Sequence, residues 1–160
     1  MRYDVAVSFP GQWELLERVR SEVRACLPPT APAERDACVM AASELTENAL
    51  KYGEPTPSCP RAEFRLSVQD RVVQIEIENG IAEGLHATRL RERVAKIEQT
   101  QDKLALYVER LQEIVDSDER IKSAGLGLYR VAAEGGFDLT CACFPRHVKL
   151  TARRKLGGPL

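Results

Sequence analysis

Two pairs of alternating apolar runs, each joined by a short polar connection, constrain the fold of this chain more than any other feature. In the first pair, apolar residues fill every second position on both sides of Gln69-Asp70-Arg71: Phe64, Leu66, Val68, Val73, Ile75 and Ile77. The second pair covers residues 137–143 and 148–152, around Pro145-Arg146. Such alternation is typical of strands with one buried face, and short connections make neighbouring strands antiparallel. The sequence therefore predicts two β-hairpins.

The rest of the chain supplies one more strand and several helices. Residues 2–9 alternate in the same way and predict a strand, while 13–27 repeat apolar residues at helical spacing. A second helix is predicted from Pro32 to Gly53, because proline is tolerated in a first helical turn and glycine is common just after the last. Residues 54–60 carry three prolines and predict a loop. A further helix is predicted over 124–133, followed by Gly135-Gly136.

Residues 88–115 form the longest charged segment and contain neither glycine nor proline. Its apolar residues follow heptad spacing with one polar member: Leu90, Val94, Ile97, Gln101, Leu104, Val108, Leu111 and Val115. A continuous helix of this length would span about 42 Å. The seam would pair with a partner helix or with a second copy of the chain, or it would lie on the protein's own sheet. Gln101 would fix the register of a pair or mark a bend.

This order of elements predicts an α+β fold. Helices separated from hairpin-connected strands favour a two-layer sandwich with one mostly antiparallel sheet and helices on one face. The length of 160 residues is typical of one domain. We expect a single domain over residues 1–154 and a flexible tail over 155–160.

Charge and hydropathy exclude several classes of protein. Lys and Arg total 23 against 24 Asp and Glu, which argues against a nucleic-acid-binding protein that neutralises phosphates. No apolar run approaches the roughly 18–20 residues of a membrane span, and the first residues do not resemble a signal peptide. We therefore expect a cytoplasmic protein that binds neither nucleic acid nor membrane.

Five cysteines without C-x-x-C spacing are typical of reduced thiols. Cys141 and Cys143 are two residues apart in a predicted strand and therefore point to the same face. With His147 they would form a metal site, although buried free cysteine is the commoner state.

Three short segments carry the candidate chemistry. Glu44 and Asn48 are four residues apart on the second helix, so both project from one side. A carboxylate there can accept a proton and a carboxamide oxygen can bind magnesium, although exposed helices often carry such pairs. Gly125 and Gly127 precede Leu128 at a helix start, where backbone amides can approach an anion or simply form a tight turn.

The third segment is Glu78-Asn79-Gly80, at the end of a predicted strand. Asn79-Gly80 is typical of a turn. An acid at this place can instead accept a hydrogen bond from the amino group of a nucleobase.

In this order, the three segments resemble the GHKL superfamily of Bergerat-fold ATPases, particularly the small anti-sigma-factor serine kinases of bacteria. The resemblance covers most of residues 1–152. It implies that Glu44 is the general base and that Asn48 binds Mg²⁺. It further implies that ATP is bound by Asn48, by Glu78 and Gly80 of the first glycine box, and by the second glycine box: Gly125, Gly127 and Leu128.

Two features depart from the family pattern. Glu78 replaces the aspartate that reads adenine, and a long charged helix replaces the short glycine-bearing lid over the phosphates. Two functions are therefore expected. The first is an ATP-dependent kinase that phosphorylates or sequesters a small regulatory protein, either a sigma factor or an anti-sigma-antagonist-like protein. The second is a GHKL-like scaffold that binds no nucleotide and contacts its partner through the long helix.

Overall fold

The structure is a computed structural model, and it describes residues 3–9, 14–27, 31–82, 84–116 and 125–157. Within these ranges, ten elements follow one another along the chain: β1 (Tyr3–Phe9), α1 (Glu14–Cys26), α2 (Pro32–Tyr52), β2 (Ala62–Gln69), β3 (Val72–Gly80), α3 (Leu85–Gln99), α4 (Lys103–Asp116), α5 (Leu126–Ala133), β4 (Asp138–Phe144) and β5 (His147–Lys155). The predicted start of α5 at residue 124 lies outside the described residues.

The five strands form one sheet in the order β1-β2-β3-β5-β4, and every neighbouring pair is antiparallel. Both predicted hairpins are confirmed. In the first, Gln69 pairs with Val72, which leaves Asp70 and Arg71 as a two-residue turn. Both turn residues have positive φ, 50° and 63°, as the twist of a tight hairpin requires.

The core lies on one face of this sheet. Ile75 and Ile77 of β3 are fully buried, as are their neighbours Phe64 and Leu66 of β2. Helices α1 and α2 contribute Val19, Val23 and Leu45, also with no exposed surface, to the same cluster. The intervening residues of β3 are only partly buried because they point to the other face. The predicted two-layer α+β arrangement is therefore confirmed.

The continuous helix predicted over 88–115 is wrong, because α3 ends at Gln99 and α4 begins at Lys103. Thr100 has extended backbone angles, and its hydroxyl donates a hydrogen bond to the carbonyl of Lys96 at 2.7 Å. Asp102 then accepts a hydrogen bond from the amide of Ala105 at 2.9 Å, which satisfies a free donor of the new helix. Gln101 therefore lies at a bend, which is one of its two expected roles.

The bend separates the heptad seam into two different surfaces. Val94 and Ile97 of α3 are 1% exposed and belong to the protein's own core. Leu104, Val108 and Val115 of α4 are 61%, 43% and 79% exposed. Packing on the protein's own sheet is therefore confirmed for α3 and contradicted for the seam of α4.

The sheet continues past the predicted start of the tail. Lys155 ends β5, and Leu156 is buried, with its amide bonded to the carbonyl of Arg71 at 2.8 Å. Leu156 is thus packed, while 158–160 lie outside the described residues. Among the described helices, none combines the length and the apolar character that a membrane span requires.

Candidate functional site

Glu44 of α2 lies directly against the start of α5. A β-carbon built at Gly127 would overlap the Glu44 carboxylate, so the absence of a side chain at Gly127 allows the two helices to approach. The carboxylate is 3.4 Å from a guanidinium nitrogen of Arg130, one turn further along α5. Two of the three segments singled out in the sequence therefore meet in the fold.

Opposing electrostatic effects act on Glu44. Burial raises the pKa of this carboxyl, and the negative charge of Glu47 adds to the effect, while Arg130 lowers it. Arg130 also binds Glu134 at 2.8 Å, and Glu134 accepts a hydrogen bond from Tyr107 of α4. Glu44 is thus one end of a polar network that joins α2, α5 and α4.

Asn48 lies in a different place from Glu44, although both belong to the same helix. Glu44 borders an open groove with Arg20 and Arg130, whereas Asn48 lines a separate cavity between α2, α3 and the sheet. The Nδ2 atom of Asn48 is buried and has no hydrogen-bond partner. The expected pairing of a general base with a magnesium ligand in one cavity is therefore not present in this arrangement.

The cavity beside Asn48 has a volume of about 120 Å³. It is lined by residues of α2, β3, α3 and β5, together with the residue that follows β3: Asn48, Ala49, Tyr52, Asn79, Ile81, His86, Arg89, Leu90, Arg93, Val148 and Leu150. Its walls are mostly apolar, and its charged lining residues are basic. Pockets for drug-sized ligands usually measure about 300–1,000 Å³, so this cavity suits something smaller.

Gly125 lies at the edge of this region, with its φ at 97° in the left-handed range that favours glycine. A β-carbon at Gly125 would overlap the guanidinium of Arg93, so this side chain of α3 covers the glycine. The following Leu128 is 1% exposed and belongs to the core. The guanidinium of Arg93 therefore occupies the space in front of the second glycine box in this structure.

Glu78 and Asn79 point to opposite faces of the sheet. Glu78 points to the open face of the sheet, where its carboxylate is 3.4 Å from Nε2 of His147. Asn79 points to the helix side, is 5% exposed and lines the cavity. Side chains alternate along a strand, which places the two residues on opposite faces, so Glu78 does not line this cavity. That Glu78 reads a base stays a prediction.

Gly80 is explained by packing. A β-carbon there would overlap the carbonyl of Glu54 and lie 3.0 Å from the carbonyl of Cys59. The 54–60 loop therefore lies close against the end of β3, held by the hydrogen bond from the amide of Glu54 to the carbonyl of Gly80 at 3.0 Å. Gly80 is not among the residues that line the cavity of Asn48.

The sequence reasoning missed Asn79, Arg89 and Arg93. Asn79 continues the alternation of Ile75 and Ile77, and extending that pattern by two residues would have placed it on the buried face. Arg89 and Arg93 gave no comparable signal, because charged residues are expected throughout a segment with so many of them. Only the packing of α3 brings these two residues to the cavity.

The proposed metal site at Cys141, Cys143 and His147 is not assembled. The two sulfur atoms are 3.5 Å apart on the helix side of β4, whereas His147 stacks on Phe144 on the open face. Burial, with a hydrogen bond involving Cys143, raises the pKa of Cys141 to about 12. Within the part of the chain that the structure describes, no three His, Cys, Asp or Glu residues form a group able to hold a metal ion.

Comparison of the chain with protein-family models and with curated proteins gives no match. The resemblance to GHKL proteins therefore rests on the order of the three motifs in the sequence. The residues present do not fit bound Mg-ATP. Among the residues that the structure describes, no carboxylate lines the cavity of Asn48, Arg93 covers Gly125, and the cavity is smaller than a nucleotide site requires.

Proposed function

We propose that this protein is a regulatory module with a GHKL-like scaffold that binds a helix of a small partner protein through α4 and does not transfer phosphate. The helix with Glu44 and Asn48, the contact of Glu44 with Gly127, and the two-layer α+β fold support the GHKL-like scaffold. The partner class suggested by this resemblance is a sigma factor or an anti-sigma-antagonist-like protein. The exposed seam of α4 is the observation that carries the proposal.

This seam, which we call the α4 stripe, consists of Leu104, Val108, Leu111 and Val115. The four residues recur at steps of four, three and four, so they form one strip along the helix, in which Leu111 is half-buried and the other three are exposed. Leu106 faces a different side, is 6% exposed and belongs to the core. An apolar strip at heptad spacing, outside the contact with α5, fits a partner helix that supplies a matching strip.

Charge on α4 indicates the chemistry of that partner. Asp102, Glu109 and Asp116 are exposed and seven residues apart, so they form an acidic row about a third of a turn around the helix from the stripe. A partner whose surface carries lysine or arginine near its apolar residues complements this row. A second copy of the chain would carry the same row, and these like charges disfavour self-pairing.

Direct binding tests the proposed surface. Purified sigma factors and anti-sigma antagonists of the source cell are each titrated against the protein and against Leu104→Asp, which places a carboxylate in the stripe. We expect one of them to bind and its affinity to fall at least about tenfold in the variant, as is usual for a central interface residue. Ser21→Asp is the matched control, since it adds the same charge on an exposed position of α1. Equal loss in both variants, or binding to none of these proteins, would contradict the proposal.

Charge reversal separates the acidic row from the apolar stripe. The double variant Glu109→Lys and Asp116→Lys should weaken the partner at low salt and lose most of that effect at high salt, because exposed charges are screened. A salt-independent loss would show that the row has no electrostatic role. Tighter self-association of the same double variant by light scattering would instead identify a second copy as the occupant.

Calorimetric titration with Mg-ATP tests the second half of the proposal, that the protein does not transfer phosphate. No heat is expected at millimolar nucleotide, because none of the described lining residues is acidic and Arg93 covers Gly125. Binding that is lost in Asn48→Ala would overturn this half and restore the kinase hypothesis, with Glu44 as its base. Partner binding through α4 is measured separately, so the two halves fail independently.

A further inference from the structure

We propose that the cavity between α2, α3 and the sheet is a binding site for a small organic acid with an apolar body, a monocarboxylate and not a nucleotide. We call it the acid site, and it is formed by the lining residues given above. The proposal concerns a surface separate from the α4 stripe and does not depend on the partner of α4. Three features of the cavity point to this ligand.

The first feature is the charge on α3. His86, Arg89 and Arg93 follow steps of three and four residues, so they project from one side of the helix toward the cavity. Within the described residues, neither arginine forms an ion pair, and no carboxylate lines the cavity. A guanidinium presents paired donors that match the two oxygens of a carboxylate. The entrance is therefore suited to an anion.

The second feature is the apolar interior. Ala49, Ile81, Leu90, Val148 and Leu150 form the walls. Tyr52 and His86 add two rings whose centroids are 5.8 Å apart and whose planes are inclined by 32°. Walls of this kind bind hydrocarbon and gain little from a fully hydrated ion such as inorganic phosphate. The ligand therefore combines an apolar body with its charge.

The third feature is the unpartnered amide of Asn48. Its Nδ2 is buried and lacks an acceptor, whereas Nδ2 of the neighbouring Asn79 already donates to the carbonyl of Gly80 at 2.8 Å. Buried polar groups in proteins are nearly always paired, so a free donor in a cavity calls for an acceptor from a ligand. One carboxylate oxygen would satisfy Asn48 while Arg93 or Arg89 binds the other.

The size of the cavity selects among organic acids. A volume of about 120 Å³ accommodates a single ring or a short branched chain and excludes a nucleoside triphosphate. Benzoate and isovalerate are therefore suitable probes. Benzamide has nearly the same shape as benzoate and lacks its charge, which makes it the matched control ligand.

The test is a titration of ¹⁵N-labelled full-length protein, followed by NMR. We expect benzoate or isovalerate to shift the side-chain NH₂ signals of Asn48, and we expect benzamide to bind at least about tenfold more weakly than benzoate. At least one of Arg89→Gln and Arg93→Gln should weaken the binding of the carboxylate at least about tenfold. Arg18→Gln, on an exposed position of α1, should leave the affinity unchanged.

Each alternative result has a definite meaning. The proposal is overturned if benzoate and benzamide bind equally well, or if neither Arg89→Gln nor Arg93→Gln changes the affinity. It is also overturned if the NMR shifts are confined to residues outside the cavity, or if neither acid binds at about 20 mM, a concentration at which weak millimolar ligands bind. Arg89 is an exposed residue of α3, so its variant tests the charge even where Arg93→Gln disturbs the packing beside Gly125. The ¹⁵N spectrum of each variant without ligand reports whether it is folded.

Discussion

At the scale of single residues, Glu44 and Asn48 project from the same side of α2 but have different surroundings. They are one turn apart on α2, as the spacing predicted. The start of α5 occupies the space beside Glu44, with Gly127 against its carboxylate, while Asn48 faces the cavity below α3. Spacing along the helix therefore predicted the side of α2 from which both side chains project. It did not predict which elements pack against each of them.

Replacement of Glu44 by glutamine tests its electrostatic environment. Burial raises the pKa of this carboxyl above its ordinary value of 4.5, so the folded state binds the proton more tightly than the unfolded state. The contribution of Glu44 to the free energy of unfolding must then fall as pH rises through its folded pKa. We expect Glu44→Gln to gain stability relative to the wild type between about pH 4 and pH 7, measured by urea denaturation. A constant difference, or the opposite trend, would contradict the raised pKa.

A double-mutant cycle tests the contact between Glu44 and Gly127. In the wild type, Gly127→Ala forces the carboxylate to move away from Arg130, which offsets the helical preference for alanine. In the Glu44→Ala background, the same change meets no carboxylate and should be neutral or stabilising. We expect a coupling free energy of about 0.5–1 kcal/mol from denaturant unfolding. Additive effects would mean that α2 and α5 do not meet at these residues.

At the scale of elements, the segment 88–115 divides into α3 and α4 because two local hydrogen-bonding groups favour a break. Thr100 bonds back to α3, and Asp102 caps α4. Lys103 also donates to the carbonyls of Ile97 and Glu98, which satisfies free acceptors at the end of α3. The heptad spacing continues through the segment, but it belongs to two separate helices, α3 packed in the core and α4 with an exposed stripe.

Two leucines of α4 distinguish its packed side from its exposed side. Leu106→Ala removes a buried side chain and should cost about 2–5 kcal/mol of unfolding free energy. Leu104→Ala changes an exposed position and should stay within about 0.5 kcal/mol of the wild type. Thermal and chemical denaturation of both variants measure the difference. Similar losses in both would mean that the α4 stripe packs inside the protein.

At the scale of the whole molecule, the sheet has a core face and an open face. The open face carries paired charges, including Glu76 with Lys149 at 2.7 Å and Glu78 with His147. The described helices cover the other face, and the core and the cavity of Asn48 lie between them and the sheet. Neighbouring residues of one strand therefore lie in different environments, one buried in the core and the next on the charged open face.

Adjacent residues of β3 should differ sharply in their effect on stability. Ile77→Ala creates a cavity in the core and should cost about 2–5 kcal/mol. Glu78→Ala breaks a partly exposed ion pair and should cost at most about 1 kcal/mol. Denaturant midpoints of the two variants provide the measurement. A larger loss for Glu78→Ala would show that this carboxylate is buried in a site.

The sequence by itself determined the two hairpins, the limits of α2 and the position of the 54–60 loop, because periodicity, proline and glycine act over a few residues. The alternation of Ile75 and Ile77, continued by two residues, also predicts that Asn79 and not Glu78 lies on the core face. Only the tertiary structure decided that Arg93 covers Gly125, that Glu44 and Asn48 border different cavities, and that α4 exposes its stripe. These outcomes depend on which distant elements pack together, and no local pattern specifies that choice.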